Sequence, residues 1–126
     1  MRLTNEQIYK NCEQLLKSFN DNTKYFPGKI TFIIQRNKKT LLDICKTIDE
    51  VRASIAANYG EPDPENPGSY IIPAETRALA QIELNDLSAA AQEVNIIMLD
   101  YKDIENVEFT PNQMDAILFM INEQAE

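Results

Sequence analysis

Paired carboxylates such as Asp49 with Glu50 and Glu83 with Asp86 have the residue types that glycoside or metal-assisted hydrolysis uses. They fall on polar helical positions, where a solvated face is the ordinary role of an acid. The chain has no histidine. That removes the commonest general base, the Ser-His and Cys-His nucleophile pairs and nearly all zinc sites. Its three glycines, at 28, 60 and 68, make neither a dinucleotide fingerprint nor a P-loop. The segment from Asp63 to Gly68 has the opening spacing of a calcium loop. It fails at the fifth position, Pro67, and at the twelfth, Ala74, where the bidentate glutamate belongs. No catalytic residue, cofactor or metal site is expected.

Two other clusters suit recognition. Arg36, Lys38 and Lys39 are basic residues expected near the start of a helix, where backbone amides favour a small anionic ligand. The acidic, proline-studded connector between Gly60 and Pro73 offers Tyr59, Asp63, Glu65, Tyr70, Ile71 and Ile72 as a partner-binding tip, the alternative being a mobile linker. Cys12 and Cys45, the only cysteines, fall on apolar helical positions and read as small hydrophobes.

Charge is uneven along the chain. Residues 1–46 carry nine Lys or Arg against four acids, and residues 47–126 carry three against sixteen. Attraction between the two halves of one folded domain accounts for this asymmetry; a basic face of Lys24, Lys29, Arg36, Lys38 and Lys39 is the functional alternative. A net charge of −8, with no helix-turn-helix, zinc-finger or aromatic-rich basic motif, argues against duplex DNA.

The elements that must position these residues follow from periodicity. Thr4 and Gln7 form a capping box, Leu3 and Ile8 its staple, and Ile8, Cys12, Leu15, Leu16 and Phe19 a buried stripe. Asn20 to Thr23 and Pro27-Gly28 are turn signals. Lys29 to Gln35 is rich in β-branched and aromatic residues and reads as a strand, with Ile30, Phe32 and Ile34 on one face. Asn37 then caps a long helix whose Leu41, Ile44, Ile48, Val51 and Ile55 make a two-heptad seam. Tyr59-Gly60 stops it, with glycine in the left-handed conformation. After an irregular connector, a helix marked by Leu79, Ala80, Ile82, Leu84, Leu87 and Ala91 returns, with blurred periodicity. It leads into a strand at Val94 to Leu99, antiparallel to the first. Phe109, Thr110, Gln113 and Met114 repeat the staple and capping box for a last helix, with Met114, Ile117, Leu118 and Ile121 inward. The expected fold is one mostly helical α+β domain: an antiparallel helical hairpin on a small two-stranded antiparallel sheet, with the N- and C-terminal helices packed at its base.

The order of elements resembles an uncharacterised family of short proteins from phages of Gram-positive bacteria. The matching points are Leu3-Thr4-Asn5, Lys29 to Ile34 before Arg36-Asn37, Tyr59-Gly60, Glu93 to Ile96 and Phe109-Thr110, across nearly the whole chain. The triple-proline connector departs from that family's simpler acidic turn. The resemblance implies an accessory protein acting in the infected cell and brings no site residue. The expectation is a noncatalytic, self-associating binder in the host cytoplasm, which modulates a host or phage protein, host defence included, or sequesters a small ligand. A structural component of a phage particle is the alternative. With no apolar run of membrane length and a capping pattern at the start in place of a leader, no membrane partner is expected.

Overall fold

A helical period runs through the segment that local propensity assigns to a strand. Ile30, Ile33, Ile34, Asn37, Leu41, Cys45 and Ile48 recur three and four residues apart, and all are buried. In the computed structural model, which describes residues 1–19 and 26–122, they form one face of a single helix, α2 (Gly28–Tyr59). The expected strand at Ile30 to Ile34 is therefore corrected to helix. Its β-branched residues are inherently neutral helix formers, and burial of one face against α1 (Asn5–Ser18) and the chain's C-terminal segments overrides that preference. Asn37 is correspondingly not a cap but a core position.

α2 is 32 residues long, about 48 Å at 1.5 Å per residue. Its first half lies in the core and its second half continues outward as one rod of an arm. The connector turns back through β2 (Glu61–Pro62) and β3 (Tyr70–Ile71), which pair antiparallel, and α3 (Ala74–Ala89) returns along α2. The helical hairpin is thus present, as is the mostly helical α+β class, with 66% of the described residues helical.

The sheet at its root differs from expectation. β1 (Arg2–Thr4) pairs antiparallel with β4 (Ala91–Glu93), joining Leu3 to Gln92. β5 (Leu99–Asp100) pairs parallel with β6 (Ile121–Asn122). Between them Val94 is held by the first residue, its N–H donating to the Met1 carbonyl at 2.7 Å. The extended stretch after α3 therefore meets the two ends of the chain instead of Ile30 to Ile34.

Both terminal helices begin as their local signals require. Thr4 Oγ1 accepts from the Gln7 N–H and Gln7 Oε1 from the Thr4 N–H; Thr110 and Gln113 do the same at α5 (Pro111–Ile117). Ile8, Cys12, Leu15 and Phe19 are buried, but Leu16 is exposed. At the C-terminus a 3₁₀ turn (Leu118–Met120) follows α5, preceded by a four-residue helix α4 (Tyr101–Ile104). The change of period turns Leu118 outward and Met120 into the core, correcting the expected inward Leu118. Phe26 and Phe109 stack at 5.0 Å, with Phe19 beside both. The turn signals at Asn20 to Thr23, and Lys24 of the proposed basic face, lie outside the described residues.

Candidate interaction surface

The arm is built on few buried contacts. Ile48, Ile55 and Ala80 are its buried apolar residues, and none belongs to the main core cluster. Small Ala80 lets α3 approach α2, while Val51 of the expected seam is left 39% exposed. At the root, Asn5 clamps the returning chain: its Nδ2 donates to the Leu87 carbonyl at 2.8 Å, and its Oδ1 accepts from Gln92 Nε2 at 2.8 Å. A groove of about 390 Å³ opens there between α2 and α3, lined by Asn5, Ile44, Thr47, Ile48, Val51 and Leu87 among others.

At the far end, the expected irregular connector is an organised hairpin. Asp63 shapes the turn, its Oδ1 accepting from the Glu65 N–H at 2.9 Å and its Oδ2 from Asn66 Nδ2 at 3.0 Å. The Asn66 amide and the Glu65 N–H hold the Asp63 carboxyl below the usual carboxylate range. The Asp63 N–H donates to the Ser69 carbonyl, and Gly68 supplies the left-handed backbone, at φ 87°, that closes the loop.

Gly60 is not left-handed, at φ −116° and ψ 177°. It is glycine for want of room, since a Cβ there would sit 2.6 Å from the Ala56 carbonyl oxygen and 3.0 Å from that of Ile71. Tyr59 ties the two rods. Thr76 Oγ1 donates to its carbonyl at 2.7 Å, and the Glu83 carboxylate beside its phenol pushes the phenol pKa up.

The six expected tip residues thus divide. Tyr70 and Ile71 are exposed, at 41% and 55%, and so is Glu65. Ile72 is half-buried, while Tyr59 and Asp63 spend their polar groups within the chain.

What the sequence reading missed lies on α3. Leu79 and Ile82, one helical turn apart on one face, are 53% and 57% exposed, with Glu75, Glu83 and Asp86 around them. The signal was the blurred periodicity itself: α3 carries more apolar positions than a single seam can bury.

The basic trio is separated. Arg36 and Lys39 line a shallow groove of about 280 Å³ with Thr40 and Asp43. Lys38 lies on another face, close enough to Cys12 to favour its thiolate. All three are at least two turns inside α2, so the expected placement at a helix N-terminus is corrected; the cause is again the extension of α2 back to Gly28.

The opposite charges of the two halves meet directly in few places. Lys29 bridges to Asp103 at 3.1 Å and the terminal amine to Glu93 at 3.3 Å; the third ion pair among the described residues, Lys17 with Glu13, is local to α1.

No protein-family model matches the chain, and neither a curated protein nor a solved structure is similar to it. Asp49, Glu50, Glu83 and Asp86, the paired acids, are exposed on the arm. Among the described residues no group of three or more His, Cys, Asp or Glu is placed to hold a metal ion, and no helix is long and apolar enough to cross a membrane.

Proposed function

We propose that the chain is a noncatalytic binding protein whose α2–α3 arm is its contact element. The observation that carries this reading is the exposure of Leu79 and Ile82 on the outer face of α3, beyond the exposed Tyr70 and Ile71 of the tip. Apolar side chains on a rod that needs none of them for its own packing are suited to entering a groove of a partner as i and i+3 anchors. The acids around them favour a partner with a basic rim, and the basic first half of α2 gives a second copy such a surface. Self-association through the arm is the first form of this reading. Modulation of a host or phage protein in an infected bacterial cell is the second, and it rests on the sequence resemblance alone.

The test is the native mass of the wild type and of a Leu79→Glu, Ile82→Glu double variant, with capture of partners from infected cells by each. Loss of association or capture in the variant supports the arm as contact element. Equal mass and equal capture for both chains removes it.

A further inference from the structure

Cys12 and Cys45 belong to different helices, yet they pack in one cluster across the α1–α2 interface, near enough for each thiol to shift the other's pKa. Both are free and nearly inaccessible, at 3% and 7% exposure. They are not sealed in the core, however. Both contribute to the floor of one groove of about 270 Å³, whose walls are Tyr9, Leu16 and Leu42 and whose rim carries Glu13 and Asp49.

A pair of thiols at the foot of an open groove differs from a pair of core hydrophobes, because a small neutral oxidant can reach it without unfolding the chain. We propose that Cys12 and Cys45 are a reversible disulfide site: a small hydroperoxide entering this groove oxidises Cys45, and Cys12 then closes a bond that ties α1 to the middle of α2.

The order of the two sulfurs follows from their surroundings. Burial raises the Cys45 thiol above its ordinary value, but the neighbouring Cys12 thiol and the charge of Arg52 both favour its thiolate and hold that rise in check. Arg52 is held nearby, stacked 4.5 Å over the Tyr9 ring. Cys12 is pushed up to about 12, chiefly by burial, and is the poorer nucleophile until its partner has reacted.

In the first step the Cys45 sulfur attacks the peroxide, the O–O bond breaks, and a sulfenic acid and an alcohol (or water, from hydrogen peroxide) are formed. In the second the Cys12 sulfur attacks the Cys45 sulfur. The S–S bond forms, the S–O bond breaks, and the departing hydroxide leaves as water with the Cys12 proton. Two thiols and one hydroperoxide thus give one disulfide, one alcohol and one water. The resulting bond is intramolecular and encloses residues 12–45, so it leaves the arm's exposed face free.

The experiment exposes the native wild type to hydrogen peroxide and follows intact mass, alkylatable thiols and the peptide map. The expected product is a monomer lighter by two hydrogens, with a Cys12–Cys45 cross-linked peptide that a dithiol reductant reverses. Cys12→Ser should stop at a sulfenic acid on Cys45, captured by dimedone. Cys45→Ser should react at Cys12 roughly tenfold more slowly than Cys12→Ser reacts at Cys45. The wild type alone decides the outcome if either variant folds poorly. Retention of both thiols under peroxide that fully oxidises the urea-unfolded chain overturns the proposal. So does a covalent dimer, or over-oxidation of Cys45 with Cys12 still alkylatable.

Discussion

The carboxamide of Asn37 makes two hydrogen bonds to the backbone of a single residue, Ile97: Nδ2 donates to its carbonyl at 2.9 Å and Oδ1 accepts from its N–H at 2.9 Å. A side chain in the middle of α2 thereby does for Ile97 what a neighbouring strand would do. Asn37 is fully buried, and Nδ2 also lies 3.3 Å from the Met120 sulfur. The extended stretch between β4 and β5 is thus paired to the long helix at one point. Replacing Asn37 with Ala would leave the Ile97 N–H and carbonyl without this partner and open a void, a loss of about 2–4 kcal/mol. Asn37→Asp should be as damaging or worse at neutral pH, since it removes the donor and buries a charge, and it should recover partly in acid as the carboxyl becomes protonated. Urea unfolding of the three chains at pH 7 and pH 5 checks both; an Asp variant as stable as the wild type at pH 7 would refute the pairing.

The two glycines of the connector make opposite demands. Gly60→Ala brings a Cβ against backbone oxygens of both Ala56 and Ile71, so β2 and β3 must shift away from the end of α2. At Gly68 there is open space, and only the backbone angle opposes a side chain. We expect about 1–3 kcal/mol of local destabilisation at Gly60 and about 1–2 kcal/mol at Gly68. Asparagine, which tolerates the left-handed region, should rescue position 68 and not position 60. Amide exchange at 61–71 reads the difference, and equal rescue at both would contradict the steric account of Gly60.

Alkaline stability should depend on Cys12. Burial, reinforced by Cys45, raises its thiol from an ordinary 9.0 to about 12 in the folded chain. The neutral form is the one the fold favours, so the contribution is complete below pH 9 and is lost as pH climbs towards 12. Relative to Cys12→Ser, which has no group titrating there, the wild type should lose on the order of 2 kcal/mol between pH 9 and pH 11. Tyrosines and lysines titrate in both chains and cancel; Cys45 also titrates in both, and because Cys12 holds its pKa down, its larger alkaline loss in the variant makes this difference an upper figure. Parallel denaturant midpoints in that window would remove the burial argument.

Where structure is set by neighbours in sequence, the chain could be read directly. Thr4 with Gln7 and Thr110 with Gln113 are each three residues apart, and both boxes close as expected. The helical hairpin was legible for a related reason, since Leu41, Ile48 and Ile55 bury one seam and the prolines that follow end it. Ile30 to Ile34 misled because five of the seven residues from Lys29 to Gln35 favour strands locally. The helical period that overrules them passes through Asn37, a polar residue whose partner lies sixty positions away. Of the candidate site, Tyr70 and Ile71 were visible as apolar residues in an acidic loop. Leu79 and Ile82 were hidden among apolar positions that only the packed helix pair distinguishes as inward or outward.

The arm should open as a unit before the base. Its buried apolar side chains are Ile48, Ile55 and Ala80, set apart from the cluster that holds Leu15, Ile34, Ile117 and Met120. Ile55→Ala removes a large member of that thin seam, a loss of about 2–4 kcal/mol. Because α2 is continuous, the loss should appear as fraying from Tyr59 downward and from Ala74 onward, with amide protection falling in the arm and unchanged around Leu15 and Ile34. Ile117→Ala, by contrast, should weaken every protected amide together, since that side chain is fully buried in the main cluster. Leu79→Ala and Ile82→Ala should change neither by more than about 0.5 kcal/mol, as residues more than half exposed. Hydrogen exchange followed by mass spectrometry separates the three patterns. Uniform loss of protection in Ile55→Ala would show that arm and base unfold cooperatively and that the arm's contacts are stronger than its few buried residues imply.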